Sequence, residues 1–182
     1  MNGPFTHRHP LDGAISANPG RSENHVTVLP EPMVLSVAAL PGEEQAVAAT
    51  LGGVSATALK AVGPGEWLVV LEKADLSLQR DIAERAGALA LVTDQSSGRA
   101  VLRLQGPKAR AILAKIVPLD LHPEAFAIGQ SGNTLFAHVS ANVGRIGEDE
   151  FEIVLMRSFA LFAFQELMEM GLEFRLTAGF AT

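Results

Sequence analysis

The amino-acid sequence predicts an α+β fold in which the order strand–helix–strand–strand–helix–strand occurs twice. The clearest sign is the stretch 92–118, where a Gly106-Pro107 step joins a strand to a helix. Apolar and polar residues alternate before this step, as in a strand with one buried face. Apolar residues recur with helical spacing after it, as far as Pro118. The second observation is that the elements predicted for residues 33–94 recur in the same order over residues 99–176, with one additional strand between the two helices.

The first predicted half covers about residues 33–94. Its elements are a strand at 33–40, a helix at 43–51, strands at 57–61 and 66–71, a helix from Asp75 to Gly87, and a strand at 88–93. Gly52 and Gly53 are placed to end the first helix. Asp75 is a suitable N-cap, because its carboxylate accepts hydrogen bonds from the free N–H groups of a first helical turn.

The second predicted half covers about residues 99–176. Its elements are a strand at 99–105, a helix at 107–117, an irregular piece at 118–132, strands at 134–140, 143–146 and 151–155, a helix at 158–170 and a short strand at 172–176. Pro107 suits the first helical position, where its missing N–H is not needed. Ser158 is expected to cap the last helix.

The two halves predict one domain at 33–176, between a terminal arm and a short tail. Residues 1–32 contain several prolines and only one periodic piece, at 26–29, so we expect a tail or extended arm there. A flexible tail and an arm that orders on a partner both fit this composition. Residues 177–182 are expected to form a C-terminal tail.

The composition argues against several classes of protein. The chain has 14 basic and 20 acidic residues, with no dense basic run, which argues against a groove that tracks nucleic acid. It has no cysteine, which excludes disulfides, thiolate catalysis and cysteine-based metal sites. No apolar run approaches the roughly 20 residues that span a bilayer, and no secretory leader is apparent at the N-terminus. We therefore expect a cytoplasmic protein that binds neither nucleic acid nor membrane.

Residue patterns that carry chemistry are weak throughout the chain. None of the five histidines has an acidic or nucleophilic neighbour at a recognisable spacing. Asp94 and Ser96 lie in a DQSSG segment that lacks the G-x-S-x-G pattern of a nucleophile elbow, so we expect them to bond the backbone of a turn. The glycine-rich segments match no common nucleotide-binding motif. The sequence thus predicts no catalytic, cofactor-binding or metal-binding residue in this chain.

The last helix is too apolar to bury on one side only. Phe159, Phe162 and Phe164 cannot all face one sheet at 100° per residue, and Met168 follows them on the same helix. Two interpretations remain open. The helix either lies between the two halves of the fold, or it also contacts another subunit, in which case these four residues are the candidate subunit interface.

Several short motifs resemble one known family, the gamma subunits of heterotetrameric sarcosine oxidase. They are TDQS at 93–96, Gly106-Pro107, DLHP at 120–123, RSFA at 157–160 and the strand entry GPGEWL at 63–68. The resemblance covers about residues 33–174. The positions that it marks as structural motif residues are Asp94, Ser96, Arg99, Gly106, Pro107, Arg157 and Ser158.

The resemblance implies a fold related to the folate-binding domain of aminomethyltransferases, with two interlocked ferredoxin-like βαββαβ half-units. It implies a non-catalytic structural subunit that supports oxidative demethylation of sarcosine to glycine by the alpha and beta subunits. The expected partners are the alpha subunit, by direct contact, and the beta and delta subunits within the complex. FAD, FMN, NAD and tetrahydrofolate are expected on those other subunits, and no cofactor on this chain.

Two other functions remain as alternatives. A doubled ferredoxin-like frame offers space between its halves, so a stand-alone module that binds folate or another small ligand is the second hypothesis. An independent hydrolase that uses Ser96 with a histidine is the third hypothesis, and the missing elbow motif argues against it.

Overall fold

The computed structural model describes residues 8–15 and 20–182 and confirms the α+β class. Ten strands in this part of the chain form two sheets, and four α-helices cover them. Each sheet packs one face on its own helices, and the other faces meet in a shared layer. The order of layers is therefore helices, sheet, sheet, helices.

The first sheet is formed by residues 33–94. Across the sheet its strands are β3 (Leu59–Gly63), β4 (Glu66–Leu71), β2 (Met33–Ala39) and β5 (Ala90–Asp94), all antiparallel to their neighbours. Helices α1 (Glu44–Thr50) and α2 (Leu76–Ala86) cover one face. Asp75 caps α2 as predicted, because its Oδ1 accepts hydrogen bonds from the N–H groups of Ser77 (3.0 Å) and Leu78 (2.9 Å). This half therefore has the βαββαβ order that the sequence predicts.

The second sheet has six strands. Across the sheet they are β10 (Thr177–Phe180), β1 (His25–Val28), β6 (Arg99–Gln105), β9 (Glu150–Met156), β8 (Val139–Gly147) and β7 (Ser131–Phe136). Helices α3 (Ala109–Leu113) and α4 (Ala160–Met170) cover its outer face. The large apolar cluster beneath them includes Phe136, Phe151 and Leu167.

Strand β1 corrects the prediction of a tail over 1–32. It pairs antiparallel with β6 and parallel with β10, and it fills the position that the last strand of a simple repeat would take beside β6. Val26 and Val28 on this strand are fully buried. Four residues between polar and proline-rich segments give a weak pattern, and the strand is held by partners about 75 and 150 residues away in sequence. The parts of the predicted tail at 1–7 and 16–19 lie outside the described residues.

The ends of the second half also differ from the prediction. The chain at 172–174 forms a 3-10 turn, and the closing strand is β10, within the predicted C-terminal tail. Helix α3 covers only five residues, and Pro107 precedes its N-cap, Lys108. Ser158 lies in a 3-10 turn and makes no capping hydrogen bond, so α4 begins after Phe159.

The layer between the sheets contains both apolar and charged residues. Val34 and Val70 of the first sheet meet Val101 and Val154 of the second in a small apolar cluster. Burying these branched side chains contributes on the order of 2 kcal/mol each. Charged and amide side chains continue the contact between the sheets beyond this cluster. Two cavities border the sheets and the loops that connect their strands.

Candidate functional site

Residues of the β5–β6 connection line both cavities, and Arg99 is common to the two. The first has a volume of about 480 Å³, and its wall combines the β1–β2 linker with the start of α2 and residues 94–99. The second, of about 400 Å³, is a polar crevice between the two sheets. The residues that line this crevice are Ser36, Ala38, Val62, Glu66, Leu68, Gln95, Arg99, Asn133, Ser140, Ala141, Asn142 and Val154.

The DQSSG segment forms a turn whose side chains bond its own backbone. Asp94 Oδ1 accepts hydrogen bonds from the N–H of Ser96 (2.8 Å) and from its hydroxyl (2.5 Å). The Ser96 hydroxyl oxygen in turn accepts a hydrogen bond from the N–H of Val34 at 3.0 Å. These bonds hold the pKa of Asp94 below its usual value. Ser96 and Asp94 are therefore occupied in the turn that links β5 to β2, as the sequence predicts.

Arg99 and Arg157 are two half-buried cations on the wall of the larger cavity. Arg99 donates from Nε and Nη2 to Oε1 of Gln95, at 2.9 and 2.7 Å, and burial lowers its pKa. Arg157 donates to the backbone oxygen of Arg8. Neither arginine forms an ion pair with a carboxylate in the described part of the chain.

A buried ionic network joins the two sheets. Glu152 on β9 lies 3.2 Å from Lys60 Nζ on β3, and both side chains are at most 2% exposed. Its other oxygen accepts a hydrogen bond at 2.9 Å from Arg103, which also pairs with Glu72 at 2.8 Å. Gly144 provides the space for Lys60, because a Cβ there would lie 2.9 Å from Nζ.

The network shifts the pKa values of its cations in opposite directions. Burial lowers the pKa of Lys60, although the charge and hydrogen bond of Glu152 oppose the shift. Burial also acts against the charge of Arg103, but Glu152 and then Glu72 outweigh it and raise its pKa. Glu152 therefore favours the charged form of Lys60, against the effect of burial.

Amide side chains complete the contact between the sheets. Asn142 donates to the backbone oxygen of Ala61 and to Oδ1 of Asn133, both at 2.9 Å. Asn133 donates to the backbone oxygen of Val62. Within the described residues, Oδ1 of Asn142 is buried and has no hydrogen-bond donor. These bonds hold the edge of β3 against β7 and β8.

The described histidines are distributed over several elements. His25 is buried and its Nδ1 lies 2.8 Å from the hydroxyl of Thr177, His122 is exposed, and the His138 ring lies 6.5 Å from that of Phe162. No group of three potential metal ligands occurs in residues 8–15 and 20–182. His7 lies outside the described residues. In the same part of the chain no helix is both long enough and apolar enough to cross a membrane.

Gly106 and Pro107 lie apart from the cavities, where β6 turns into α3. Gly106 has φ +121°, and a Cβ there would lie 2.8 Å from Cα of Asn24 and would overlap the backbone oxygen of Glu23. Asn24 Oδ1 accepts a hydrogen bond at 2.8 Å from the N–H of Lys108. A glycine is therefore needed so that the chain entering β1 can approach this turn.

Helix α4 separates the four candidate interface residues into two groups. Phe164 is buried in the core of the second half, so it is not available as surface, and Met168 packs against the same core. Phe162 is half-buried. Phe159 is 45% exposed, and Leu161, which the sequence analysis did not select, is 43% exposed.

The structure brings four of the seven motif residues together. Asp94, Ser96, Arg99 and Arg157 all line the larger cavity, although they come from two separate segments. The Lys60–Glu152 pair does not follow from the sequence patterns. One signal was available, because Glu152 interrupts an apolar run on β9 at a position that faces away from Phe151 and Ile153, but nothing in the sequence identifies its partner.

Comparison with known proteins places this geometry in a family. The sequence model described as "Sarcosine oxidase, gamma subunit family" matches residues 31–173. The chain is 34% identical over 128 residues to the sarcosine oxidase subunit gamma of Corynebacterium sp. (strain U-96), covering 69% of this chain and 61% of that protein. It is 32% identical over 120 residues to the subunit gamma of Arthrobacter sp., covering 66% and 59% respectively. The chain thus spans about 60% of the length of these relatives.

The solved structures agree with the sequence comparison. A chain of the heterotetrameric sarcosine oxidase from Corynebacterium sp. U-96, in complex with pyrrole 2-carboxylate, matches with a TM-score of 0.77 at 29% identity, over 92% of this chain and 96% of that chain. Aminomethyltransferase T of the glycine cleavage system from Bartonella henselae shares the fold, with a TM-score of 0.61 over 87% of this chain and 48% of that one. The α+β fold resembling an aminomethyltransferase folate-binding domain is therefore confirmed, and the chain belongs to the sarcosine oxidase gamma subunit family.

Proposed function

We propose that this chain is a non-catalytic structural subunit of a heterotetrameric sarcosine oxidase. In this proposal the alpha and beta subunits carry out the oxidative demethylation of sarcosine to glycine, and this chain contacts the alpha subunit directly. FAD, FMN, NAD and tetrahydrofolate belong to the other subunits, and beta and delta are further members of the complex. The observation that carries the proposal is the match over 92% of this chain to a chain of a heterotetrameric sarcosine oxidase.

The polar groups of the β5–β6 turn and of the contact between the sheets support a structural role. Ser96 and Asp94 are used in the β5–β6 turn, and Lys60 and Glu152 are used between the sheets. A general base or nucleophile needs a free partner within hydrogen-bond reach of a substrate. These side chains are instead engaged in holding strands together.

Exposed apolar residues next to α4 support a contact with another subunit. Met156 and Phe159 are each 45% exposed and lie on either side of Arg157, and Leu161 follows them. Apolar and aromatic residues of this kind are enriched at the buried centres of interfaces. We expect this surface to contribute to an interface of roughly 2,000 Å² or more, the size typical of obligate subunits.

Co-expression with the alpha and beta chains tests the proposal. Affinity purification through a tag on this chain should recover both partners. The double variant Phe159→Glu/Leu161→Glu should recover smaller amounts of them, because it places charges in the interface. Leu172→Glu is the matched control, because Leu172 is 72% exposed on the 3-10 turn that follows α4. Failure of the wild-type chain to recover the alpha subunit would reject the proposal.

The polar crevice favours one second candidate, a module that binds folate or another small ligand. Its volume of about 400 Å³ is within the range of small-ligand sites, and amides and hydroxyls line it. Titration of the isolated chain with tetrahydrofolate, followed by the fluorescence of Trp67, separates the two functions. Saturable binding in the micromolar range would favour the module. The cytoplasmic location expected from the sequence stays a prediction.

A further inference from the structure

The lining of the larger cavity contains the cations Lys73, Arg99 and Arg157 and the carboxylates of Glu31, Glu72 and Asp94. Arg99 and Arg157 line it, and neither pairs with a carboxylate of the described residues. Residues 1–7 and 16–19 contain no Asp or Glu side chain. A half-buried guanidinium is partly removed from water. A carboxylate that accepts two parallel N–H hydrogen bonds from it stabilises its charge.

The carboxylates near the cavity are committed elsewhere or stand apart. Asp94 accepts hydrogen bonds from Ser96, and Glu72 pairs with Arg103. Glu31 lies on the cavity wall but is exposed and forms no ion pair among the described residues. The lining as a whole is therefore not cationic, and the feature that stands out is that Arg99 and Arg157 are half-buried without a carboxylate partner in the described part of the chain.

Both arginines are held in place by neighbouring polar groups. Gln95 fixes Arg99 through Nε and Nη2, and the backbone N–H of Gln95 donates to the oxygen of Val34 at 2.8 Å. The guanidinium of Arg157 is fixed by the backbone oxygen of Arg8. Nη1 of Arg99 has no acceptor among the residues that the structure describes. A ligand that binds here therefore meets pre-positioned donors, which reduces the entropy lost on binding.

Apolar surface continues outward from the cavity. Leu76 lines it and is 70% exposed, and Met156 and Phe159 flank Arg157 at 45% exposure each. A small molecule within about 480 Å³ would leave this surface uncovered. A protein surface would cover both the cavity and its apolar rim, and arginine is among the residues that contribute most to such interfaces.

We infer that Arg99 and Arg157 form an anchor for an acidic side chain of the partner subunit, an Asp or Glu carried on an apolar segment that enters this cavity. The inference rests on the proposed function and names the surface through which it operates. Four of the residues that mark the family, Asp94, Ser96, Arg99 and Arg157, then serve one purpose. Asp94 and Ser96 shape the turn, and the two arginines bind the partner.

The test uses the complex co-expressed with the alpha and beta chains. Arg99→Gln/Arg157→Gln should raise the dissociation constant of this chain at least tenfold and make it less dependent on salt, because two charge contacts are lost. Arg80→Gln is the matched control, since Arg80 is an exposed arginine of α2 outside the cavity. It should leave both quantities unchanged. Arg157→Lys should bind less tightly than wild type, because lysine keeps the charge and loses the fork.

The melting temperature of each isolated variant shows whether it folds. If Arg99→Gln lowers the melting temperature by weakening the turn, then the dissociation constant of the single variant Arg157→Gln is the one that tests the inference. Wild-type affinity in the folded double variant, with wild-type assembly intact, would overturn the inference and leave the structural role standing. Stabilisation of the isolated wild-type chain by hexanoate, lost in the double variant while the complex is unaffected, would assign the cavity to a small carboxylate and also overturn it. A wild-type chain that does not assemble would reject both proposals.

Discussion

Replacing Glu152 by Gln should be among the most damaging single changes in this protein. Glu152 pairs with two cations, Lys60 at 3.2 Å and Arg103 at 2.9 Å, and its side chain is 2% exposed. The variant keeps the shape and removes the charge, so it leaves the charge of Lys60 buried without a counter-ion, with the backbone oxygen of Thr57 as its remaining acceptor. Removing one member of a buried pair costs about 3–5 kcal/mol. For a chain of this size that corresponds to a fall in melting temperature of roughly 6–20 °C.

The assay is urea unfolding of the isolated chain, followed by Trp67 fluorescence and by circular dichroism. The midpoint should fall while the dependence on urea concentration stays constant, because the surface exposed on unfolding is the same. Glu173→Gln is the matched control. Glu173 pairs with Lys115, but the Glu173 side chain is 62% exposed and that of Lys115 is 35% exposed. Loss of this ion pair should therefore cost about 1 kcal/mol or less.

Adding Lys60→Met to Glu152→Gln should recover part of the loss. The second change removes the unpaired cation, and Arg103 still has Glu72. A loss below about 1 kcal/mol in Glu152→Gln, or one equal to that of the Glu173→Gln control, would refute the reasoning that this pair links the two sheets.

Three further predictions concern the turn before α3, the pH dependence and the cap of α2. Gly106→Ala should destabilise the chain by about 3 kcal/mol or more in urea unfolding, because of φ +121° and the overlap with the segment before β1, whereas Gly98→Ala, with open space around it, should be tolerated. Burial, and to a smaller extent the nearby Arg21, lower the pKa of His25 in the folded state. As the pH drops below about 6.5 the unfolded chain therefore binds a proton before the folded chain does, and the free energy of unfolding should fall. His25→Gln should reduce this fall when melting temperatures at pH 7.5 and 5.5 are compared, and an unchanged difference would contradict the assignment. Asp75→Ala should reduce the helical circular dichroism signal and lower the melting temperature, because two N–H groups lose their acceptor.

The elements of the fold that are stabilised by residues close together in the sequence were predicted from local patterns. The first half, the Asp75 cap and the Asp94–Ser96 turn follow from residues within a few positions of one another. Strand β1 did not follow, because its four residues are stabilised by β6 and β10, which are distant in sequence. The same reason explains why β10 was placed in a tail.

The candidate site shows the same division. The sequence identified Arg99 and Arg157 as motif residues, but only the folded chain places both on one cavity. It identified α4 as too apolar for one face, but it did not separate the buried Phe164 from the exposed Phe159. Which residues of a helix are covered depends on the neighbouring elements, and the sequence periodicity alone does not contain that information.

The most direct measurement of the central claim is sarcosine-dependent formation of hydrogen peroxide in purified samples. The account predicts no turnover by this chain alone, and turnover by the co-purified complex that contains it. Peroxide formation by the isolated chain, or a flavin that co-purifies with it, would contradict the claim that it supplies surface to the assembly and no chemistry of its own.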